Sequence, residues 1–281
     1  MIGVDRAAAL PPELAQGIEL AAARKDAVPI GTPVLYFPVA TSTNDLAMRL
    51  AEQGYGDGTL VLAGQQTAGR GRGGHTWFSP PGTGLYASVL LDAAAPGHAD
   101  WVRTLTLAAG VALAEGLHAA SGLPVSIKWP NDIVVSPAGA VRGARKLAGI
   151  LAEATSEQGR VSRVVLGVGI NVRATAWPPD ISARVTSLEE ELGRPVDAGL
   201  VLGTVLSRLG TWVRRLRAGQ SATMLARWHA LAVGATAAPV EIATDGQVQR
   251  GVTAGLNTDG ALLVRQGTST VPVLSGEVRW L

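Results

Sequence analysis

Cysteine is absent from the 281-residue sequence, and lysine is scarce. Without cysteine the chain can form neither disulfide bonds nor thiolate metal sites, and it has no thiol nucleophile. The absence of disulfides is typical of proteins in a reducing compartment, and the N-terminal residues show no signal-peptide pattern. We therefore expect a cytoplasmic protein.

Long apolar runs and an excess of one charge sign are also missing. The most apolar segment, residues 105–120, is interrupted by Glu115 and His118 and is too short to span a bilayer. The formal net charge is only +2, which does not indicate bulk electrostatic binding to nucleic acid. About 40 residues precede Ser42, and they are predicted to hold one helix, which is too little for a helix-turn-helix unit. We expect neither membrane nor DNA binding.

Lysine accounts for only three of the 24 basic residues, at Lys25, Lys128 and Lys146. A bias toward GC-rich codons explains the excess of arginine, so each lysine is a rare choice. Two of the three lie inside motifs described below, which favours a functional role. The four histidines are scattered without metal-ligand spacing, and we assign them no role.

The hydrophobic periodicity predicts an α/β mixture followed by a small all-β domain. Helices are predicted at residues 12–25, 42–53, 101–120, 197–217 and 221–230, and strands at 34–37, 59–65, 85–91, 125–129, 133–135, 146–154 and 161–172. After residue 233, short β-type runs alternate with Gly, Asp and Asn turns, as in a small antiparallel barrel. We predict two domains, at residues 1–232 and 233–281.

The segment GRGRGG at residues 69–74 fits the pattern G-x-G-x-x-G. A dinucleotide fingerprint requires a helix directly after the last glycine, but Pro80 and Pro81 follow closely, so the loop is predicted to join two strands. The glycines allow close backbone approach, while Arg70 and Arg72 offer forked donors for carboxylate or phosphate. The alternative is a solvated basic loop, which we would favour if the segment stood alone.

Six segments in order along the chain resemble the biotin protein ligase family, over about residues 35–281. They are Ser42-Thr43-Asn44, QTAGRGR at 66–72, Trp77, KWPND at 128–132, KLAGIL at 146–151 and GVGINV at 167–172. The resemblance implies a fold of the α+β class, in which helices flank a mixed, mostly antiparallel sheet. This sheet is akin to the class II aminoacyl-tRNA synthetase core, and a small Src-homology-3-like β-barrel follows it.

The family's chemistry, as the resemblance implies it, is the ATP-dependent formation of biotinyl-5'-AMP and pyrophosphate. The biotinyl group then passes to a lysine of a biotin carboxyl carrier protein domain, in acetyl-CoA carboxylase or a related carboxylase. Because two anions meet in the first step, fixed cations and Mg²⁺ are needed rather than a nucleophilic side chain. The resemblance implies no tightly bound prosthetic group, and a monomer or homodimer.

The resemblance also implies roles for individual residues. The biotin site would comprise Ser42, Thr43, Asn44, Gln66, Gly69, Arg70, Lys146 and Gly149. The nucleotide site would comprise Arg72, Trp77, Asn131, Asp132, Asn171 and Trp177. Lys146, bridging biotin's carboxylate and the α-phosphate, and Arg72, binding phosphate, would be catalytic, and Asp132 is the candidate Mg²⁺ ligand.

Plainer interpretations of the same residues stay open. Ser42 and Thr43 are predicted to cap a helix in any case, residues 130–132 are a turn signal, and Trp77 could be part of the core. Gly73 stands where the family often has an arginine, which puts one phosphate-directed cation in doubt.

Three alternative functions are weighed against biotin ligation. A lipoate or octanoate ligase shares the fold and the adenylation chemistry, but the GRGR loop and the C-terminal barrel favour biotin. A non-catalytic binding module does not explain why Lys146 is present in addition to loops that can bind anions. Some members of the family are repressors with an N-terminal DNA-binding domain, and we expect the monofunctional type without it.

Overall fold

The computed structural model describes residues 6–23, 27–93, 100–137, 140–157, 159–244, 247–274 and 277–281. Lys25 and His98 lie outside the described residues. The helices are α1 (Pro12–Ala22), α2 (Thr43–Glu52), α3 (Asp100–Ser121), α4 (Leu188–Leu192), α5 (Ala198–Arg217) and α6 (Ser221–Leu231). The first seven strands are β1 (Val34–Phe37), β2 (Leu60–Ala63), β3 (Gly84–Asp92), β4 (Ser126–Lys128), β5 (Asp132–Val135), β6 (Arg145–Glu157) and β7 (Arg160–Asn171).

These seven strands form one mixed sheet in the order β1-β2-β3-β7-β6-β5-β4. β1 and β2 are parallel, and every other neighbouring pair is antiparallel. The central strands β3, β7 and β6 are also the longest of the seven. The predicted fold class, a mixed and mostly antiparallel sheet flanked by helices, is confirmed.

Alternation along the strands explains how both faces of the sheet are covered. Leu60 and Leu62 of β2 belong to a large core that also contains buried residues of α1, α3 and α5, whereas Val61 and Ala63 pack in a second cluster with α2. A strand covered on both faces reads as a continuous apolar run, which is what β2 shows. The face covered by α2 remains open beyond that short helix, and the polar side chains described below gather there.

One extra residue in β6 changes which side chains reach this open face. The register runs from Ile133↔Ala148 to Val134↔Lys146, so Leu147 has no partner of its own in β5. Such a bulge shifts the alternation of the strand by one position. As a result Leu147 is fully buried in the core, while Lys146 shares the open face with Gly149.

The C-terminal residues form a five-stranded antiparallel sheet in the order β11-β10-β9-β8-β12. Its strands are β8 (Thr236–Thr244), β9 (Gln247–Leu256), β10 (Leu262–Gln266), β11 (Ser269–Val273) and β12 (Glu277–Trp280). This small barrel-like domain packs against the first one. The indole N–H of Trp129 donates to the carbonyl of Gly260 at 3.1 Å, and Val233 N–H donates to the carbonyl of Ile127 at 2.9 Å.

All predicted helices and strands are present, with bounds that shift by no more than three residues. Helix α4 was not predicted, although Ser187 and Glu190 form a complete capping box at its start. The signal was a serine three residues ahead of a glutamate, between the strand predicted to end at residue 172 and the helix predicted to start at residue 197. Among the described residues, no helix is long and apolar enough to cross a membrane.

Candidate active site

Glycines form the floor of the open sheet face beside α2. Gly149 and Gly169 are register partners on β6 and β7, and a Cβ atom on Gly169 would lie 2.5 Å from Trp77 Cε2. The Trp77 ring therefore lies against bare backbone at this point. Neither glycine has room for a side chain, because the ring occupies the space that a Cβ atom would need.

The start of α2 forms one wall of the site, and it differs from the prediction. Ser42 occupies the N-cap position, but its side chain makes no capping hydrogen bond, so the prediction that it caps the helix is wrong. The carbonyl oxygen of the Gln66 side chain instead accepts from the backbone N–H of Thr43 at 2.9 Å. Gln66 is held in turn by Ser79, whose Oγ accepts from Gln66 Nε2 at 2.9 Å. Ser42 itself is buried at the edge of the cleft.

A network of polar side chains crosses the sheet from β3 to the loop at residues 69–74. Ser88 donates to Asn44 Oδ1 at 2.6 Å, and Asn44 Nδ2 donates to Glu153 Oε2 at 2.7 Å. The same carboxylate oxygen lies 2.6 Å from Arg70 Nη2, which also contacts Asp45 Oδ1 at 2.6 Å. Arg70 is therefore paired with two carboxylates. Ser88 and Glu153 were not predicted as site residues, although a buried serine and a glutamate stand out in otherwise apolar strands.

Lys146 occupies the centre of the site. Its ammonium lies 2.6 Å from Asp132 Oδ1 and 5.2 Å from the centroid of the Trp77 ring. The register of the β4–β5 hairpin brings Asp132 to this place, opposite Lys128. An ion pair and a cation–π contact together restrict the otherwise mobile lysine side chain.

The loop between β2 and β3 carries the two arginines and contains a single 3-10 turn, Arg72–Gly74. No α-helix follows it, which confirms that the segment is not a dinucleotide fingerprint. Gly73 has φ 66°, a left-handed conformation that is unfavourable for arginine. The loop conformation thus accounts for glycine at this position, where the resembling family often has a second arginine.

The site has two compartments that share Trp77 and Lys146. The first is a cleft with about 50 Å³ of free space. This volume is smaller than the roughly 300 Å³ at which small-molecule pockets usually begin. The second is a cavity of about 350 Å³. Of the residues predicted to bind biotin, the cleft is lined by Ser42, Thr43, Asn44, Gln66, Arg70, Lys146 and Gly149. Gly69 does not line the cleft; it is buried against Trp77 and Gln66 and contributes to a separate pocket along the loop.

The residues predicted to bind the nucleotide are divided between these compartments. Trp77, Asp132, Asn171 and Trp177 line the cavity, with Lys146. Arg72 and Asn131 line the cleft instead. Trp177 packs edge to face on Phe78, with ring centroids 6.1 Å apart, and its indole N–H donates to Glu190 at 2.9 Å.

The two asparagines also hold the backbone around the site. Asn131 Nδ2 donates to the carbonyl of Ile150 at 2.8 Å. Asn171 Nδ2 donates to the carbonyl of Thr186 at 2.9 Å, which ties the end of β7 to the segment before α4. Each asparagine thus fixes neighbouring backbone through its amide nitrogen.

Positive charge dominates the cavity. Lys128 and Arg184 line it in addition to Lys146, and Asp132 is the one carboxylate among the described lining residues. Burial lowers the pKa of the Lys128 ammonium, and the nearby Asp132 carboxylate opposes this effect. Lys128 and Arg184 were not predicted as site residues, although the rarity of lysine gave a signal for Lys128. A cavity with this balance suits a polyanion.

The described residues include no group of three or more His, Asp or Glu side chains arranged to hold a metal ion. Mg²⁺ is commonly held by one or two carboxylates together with substrate phosphates rather than by a full protein cage. Asp132, a single carboxylate in a cationic cavity, fits that pattern. The donor set is therefore compatible with Mg²⁺ that arrives with a nucleotide.

Sequence models of known families match both parts of the chain. The Biotin/lipoate A/B protein ligase family matches residues 36–171, and the Biotin protein ligase C terminal domain matches residues 239–279. The biotin--[acetyl-CoA-carboxylase] ligase of Paracoccus denitrificans is 31% identical over 241 residues, covering 82% of this chain and 94% of that protein. The chain belongs to the biotin protein ligase family. The fold agrees, since the biotin protein ligase of Aquifex aeolicus in complex with biotin and ATP superposes with a TM-score of 0.70, at 27% identity over 88% of this chain and 98% of that one.

Other biotin protein ligase relatives are longer. The bifunctional ligase/repressor BirA of Bacillus spizizenii is 37% identical over 179 residues, which cover 63% of this chain. The match covers 52% of the Bacillus protein, so the chain spans about half the length of the first relatives that it matches.

We predict that Gly167→Ala destabilises the site's polar network. A Cβ atom at this position would lie 2.2 Å from Asn44 Oδ1, so the Ser88–Asn44–Glu153 hydrogen bonds would have to shift. We expect the free energy of unfolding to fall by about 1–3 kcal/mol in urea denaturation. Gly56→Ala is the matched control, because no atom lies within 4 Å of its added Cβ. Equal stability of the two variants would contradict this account.

Proposed function

We propose that this protein activates biotin with ATP as biotinyl-5'-AMP and transfers it to a lysine of a biotin carboxyl carrier protein domain. The observation that carries the proposal is the position of Lys146, which lines both the narrow cleft and the cationic cavity. An acyl carboxylate in the cleft and an α-phosphate in the cavity would meet at its ammonium. Family membership and the Aquifex ligase, described with biotin and ATP, support the same assignment.

The cleft has the chemistry to hold biotin. The Trp77 ring and the backbone of Gly149 and Gly169 give it apolar surface. Hydroxyl and amide groups of Ser42, Thr43 and Gln66 line it and would pair with the polar ureido group. Arg70 would face biotin from the loop above. Since the free cleft is narrow, we expect the loop at residues 69–74 to move when the ligand enters.

The cavity would receive the nucleotide. In the first step a biotin carboxylate oxygen attacks the α-phosphorus, the bond to the β-phosphate oxygen breaks and pyrophosphate leaves. The chain's part is electrostatic, because Lys146 and the other cavity cations stabilise negative charge that both reactants carry. Asp132 would hold Mg²⁺, which supplies further charge neutralisation to the phosphates. Trp77 and Trp177 offer aromatic surface to adenine, and Arg72 would have to reach phosphate from the cleft side.

The second step needs an entry route for the carrier lysine. A groove of about 560 Å³ runs between the first domain and the barrel, and it shares Arg72, Asn131 and Leu151 with the cleft. Leu274 lines this groove and is 73% exposed, so a partner entering the groove would contact it. The lysine amine would attack the acyl carbon, AMP would leave, and a proton would pass to solvent. We propose this groove as the approach of the carrier domain.

The same proposal includes a cellular setting, a partner and an alternative substrate class. The setting is the cytoplasm, as the cysteine-free sequence predicts, and the partner is a carrier domain of a biotin-dependent carboxylase. A lipoate or octanoate ligase is the alternative, because the matched family includes lipoate ligases. The C-terminal domain match favours biotin over both.

We predict biotin-dependent exchange of labelled pyrophosphate into ATP, with little exchange when lipoate or octanoate replaces biotin. The physical reason is that the polar groups of the cleft would pair with a ureido group, which the linear acyl chain of octanoate lacks. Exchange with lipoate but not biotin would overturn the proposed substrate.

Lys146→Ala should reduce the exchange rate by at least about 100-fold, because the site loses its shared cation. Arg145→Ala is the matched control on the same strand, since Arg145 pairs with Glu191 at 2.7 Å and lines neither compartment. Circular dichroism checks that both variants fold. Substantial exchange by folded Lys146→Ala would show that the central cation is misassigned.

Leu274→Glu should slow the transfer of biotin to a carrier domain by about 10-fold while leaving pyrophosphate exchange unchanged. Val248→Glu is the control, because Val248 is 66% exposed on the same domain but does not line the groove. Single-turnover transfer from preformed adenylate measures the effect. Equal transfer rates for the two variants would exclude this groove as the approach.

A further inference from the structure

A cation–π contact joins the last strand of the barrel to the cationic cavity. The Lys128 ammonium lies 4.7 Å from the centroid of the Trp280 ring. Lys128 is the last residue of β4 and lines the cavity, whereas Trp280 ends β12 in the other domain. Such contacts are attractive within about 6 Å of the ring centroid.

The Trp280 ring is held in place by the junction between the domains. Its indole N–H donates to the carbonyl of Gly234 at 3.4 Å, and a Cβ atom on Gly234 would lie 2.5 Å from the indole nitrogen. Residues just before Gly234 are fixed to β4, because Ala232 forms a parallel bridge with Ile127. The segment at residues 232–234 thus contacts both partners: it is paired with β4 next to Lys128, and it accepts the hydrogen bond of the Trp280 indole.

Lys128 differs from Lys146 in how its charge is compensated. Asp132 lies 2.6 Å from Lys146, and among the described residues Lys128 forms no ion pair. Of the charges that act on the Lys128 ammonium, the Asp132 carboxylate attracts it, whereas the cations Lys146 and Arg184 repel it. A lysine on a flexible four-carbon chain would turn away from such neighbours toward solvent unless something held it. The face of the Trp280 ring holds the ammonium on one side, in addition to the attraction of the Asp132 carboxylate.

We propose that Trp280 is a positioning residue that holds the Lys128 ammonium in the cavity for the phosphates of ATP. The inference rests on the proposed function, in which the cavity receives the nucleotide. It gives the barrel a defined contribution to the first half-reaction. Because the contact is made by ring electrons, it depends on an aromatic side chain and not on apolar bulk alone.

The test is a double-mutant cycle on the full chain, with ATP binding measured by isothermal titration calorimetry. Trp280→Leu should weaken ATP binding by about 2- to 30-fold, the range that a cation–π contact spans between exposed and buried sites. Trp280→Phe keeps a ring and should restore most of the affinity. In a Lys128→Met background, Trp280→Leu should have no further effect.

A merely structural role gives a different pattern. If Trp280 only stabilised the barrel, Trp280→Leu would weaken ATP binding equally in both backgrounds, and this result would overturn the proposal. Unchanged affinity in Lys128→Met would overturn it without any Trp280 variant, even if Trp280→Leu failed to fold. Arg279→Ala on the same strand is the control, since Arg279 is exposed and its guanidinium lies 3.7 Å from Glu241.

Failure of the proposed function would look different again. Pyrophosphate exchange by the unmutated chain reports on that function, with biotin as the acyl substrate. If the unmutated chain shows no biotin-dependent exchange, but Trp280 and Lys128 are still coupled in ATP binding, biotin is rejected as the substrate and the role of Trp280 stands. Normal exchange without coupling between Trp280 and Lys128 would reject only the present inference.

Discussion

The contact between Lys146, Asp132 and Trp77 is the interaction on which the rest of the site depends. It places one ammonium group at the boundary of two compartments, and each partner comes from a different part of the fold. Asp132 comes from a hairpin, Trp77 from the loop between β2 and β3, and Lys146 from the bulged strand β6. Because the bulge buries Leu147 and exposes Lys146 on the same side as Gly149, a regular β6 would carry the lysine into the core side of the sheet.

The glycines on the sheet follow from the same arrangement. An aromatic ring can rest on two strands only where side chains are missing from both, and Gly149 and Gly169 are register partners beneath Trp77. Gly167, two residues away, makes room for Asn44 instead. On the open face, the missing glycine side chains leave the space that Trp77 and Asn44 occupy. The opposite face is filled by large aliphatic residues of the core.

Much of the fold could be predicted from the sequence because its signals are local. Continuous apolar runs marked the buried strands, helical periodicity marked α3 and α5, and two prolines after residue 74 excluded a helix there. The resemblance of short motifs then grouped residues that are far apart in the chain. Lys128, Ser88 and Glu153 gave only a compositional signal and Arg184 gave none, because the place of each side chain in the site depends on register and on packing between elements. The capping role of Ser42 was wrong for a related reason, since Gln66, 24 residues away, reaches the same backbone.

An incoming anion would have to compete with two of the protein's own carboxylates for the Arg70 guanidinium. Arg70 already bridges Asp45 and Glu153, so the protein's own carboxylates occupy the guanidinium that would face an incoming anion. A ligand carboxylate would replace one ion pair with another, and the net electrostatic gain of that exchange is small. Salt screens the internal pairs and the ligand pair alike. Were Arg70 to bind a ligand carboxylate, the affinity added by that contact would change little with ionic strength.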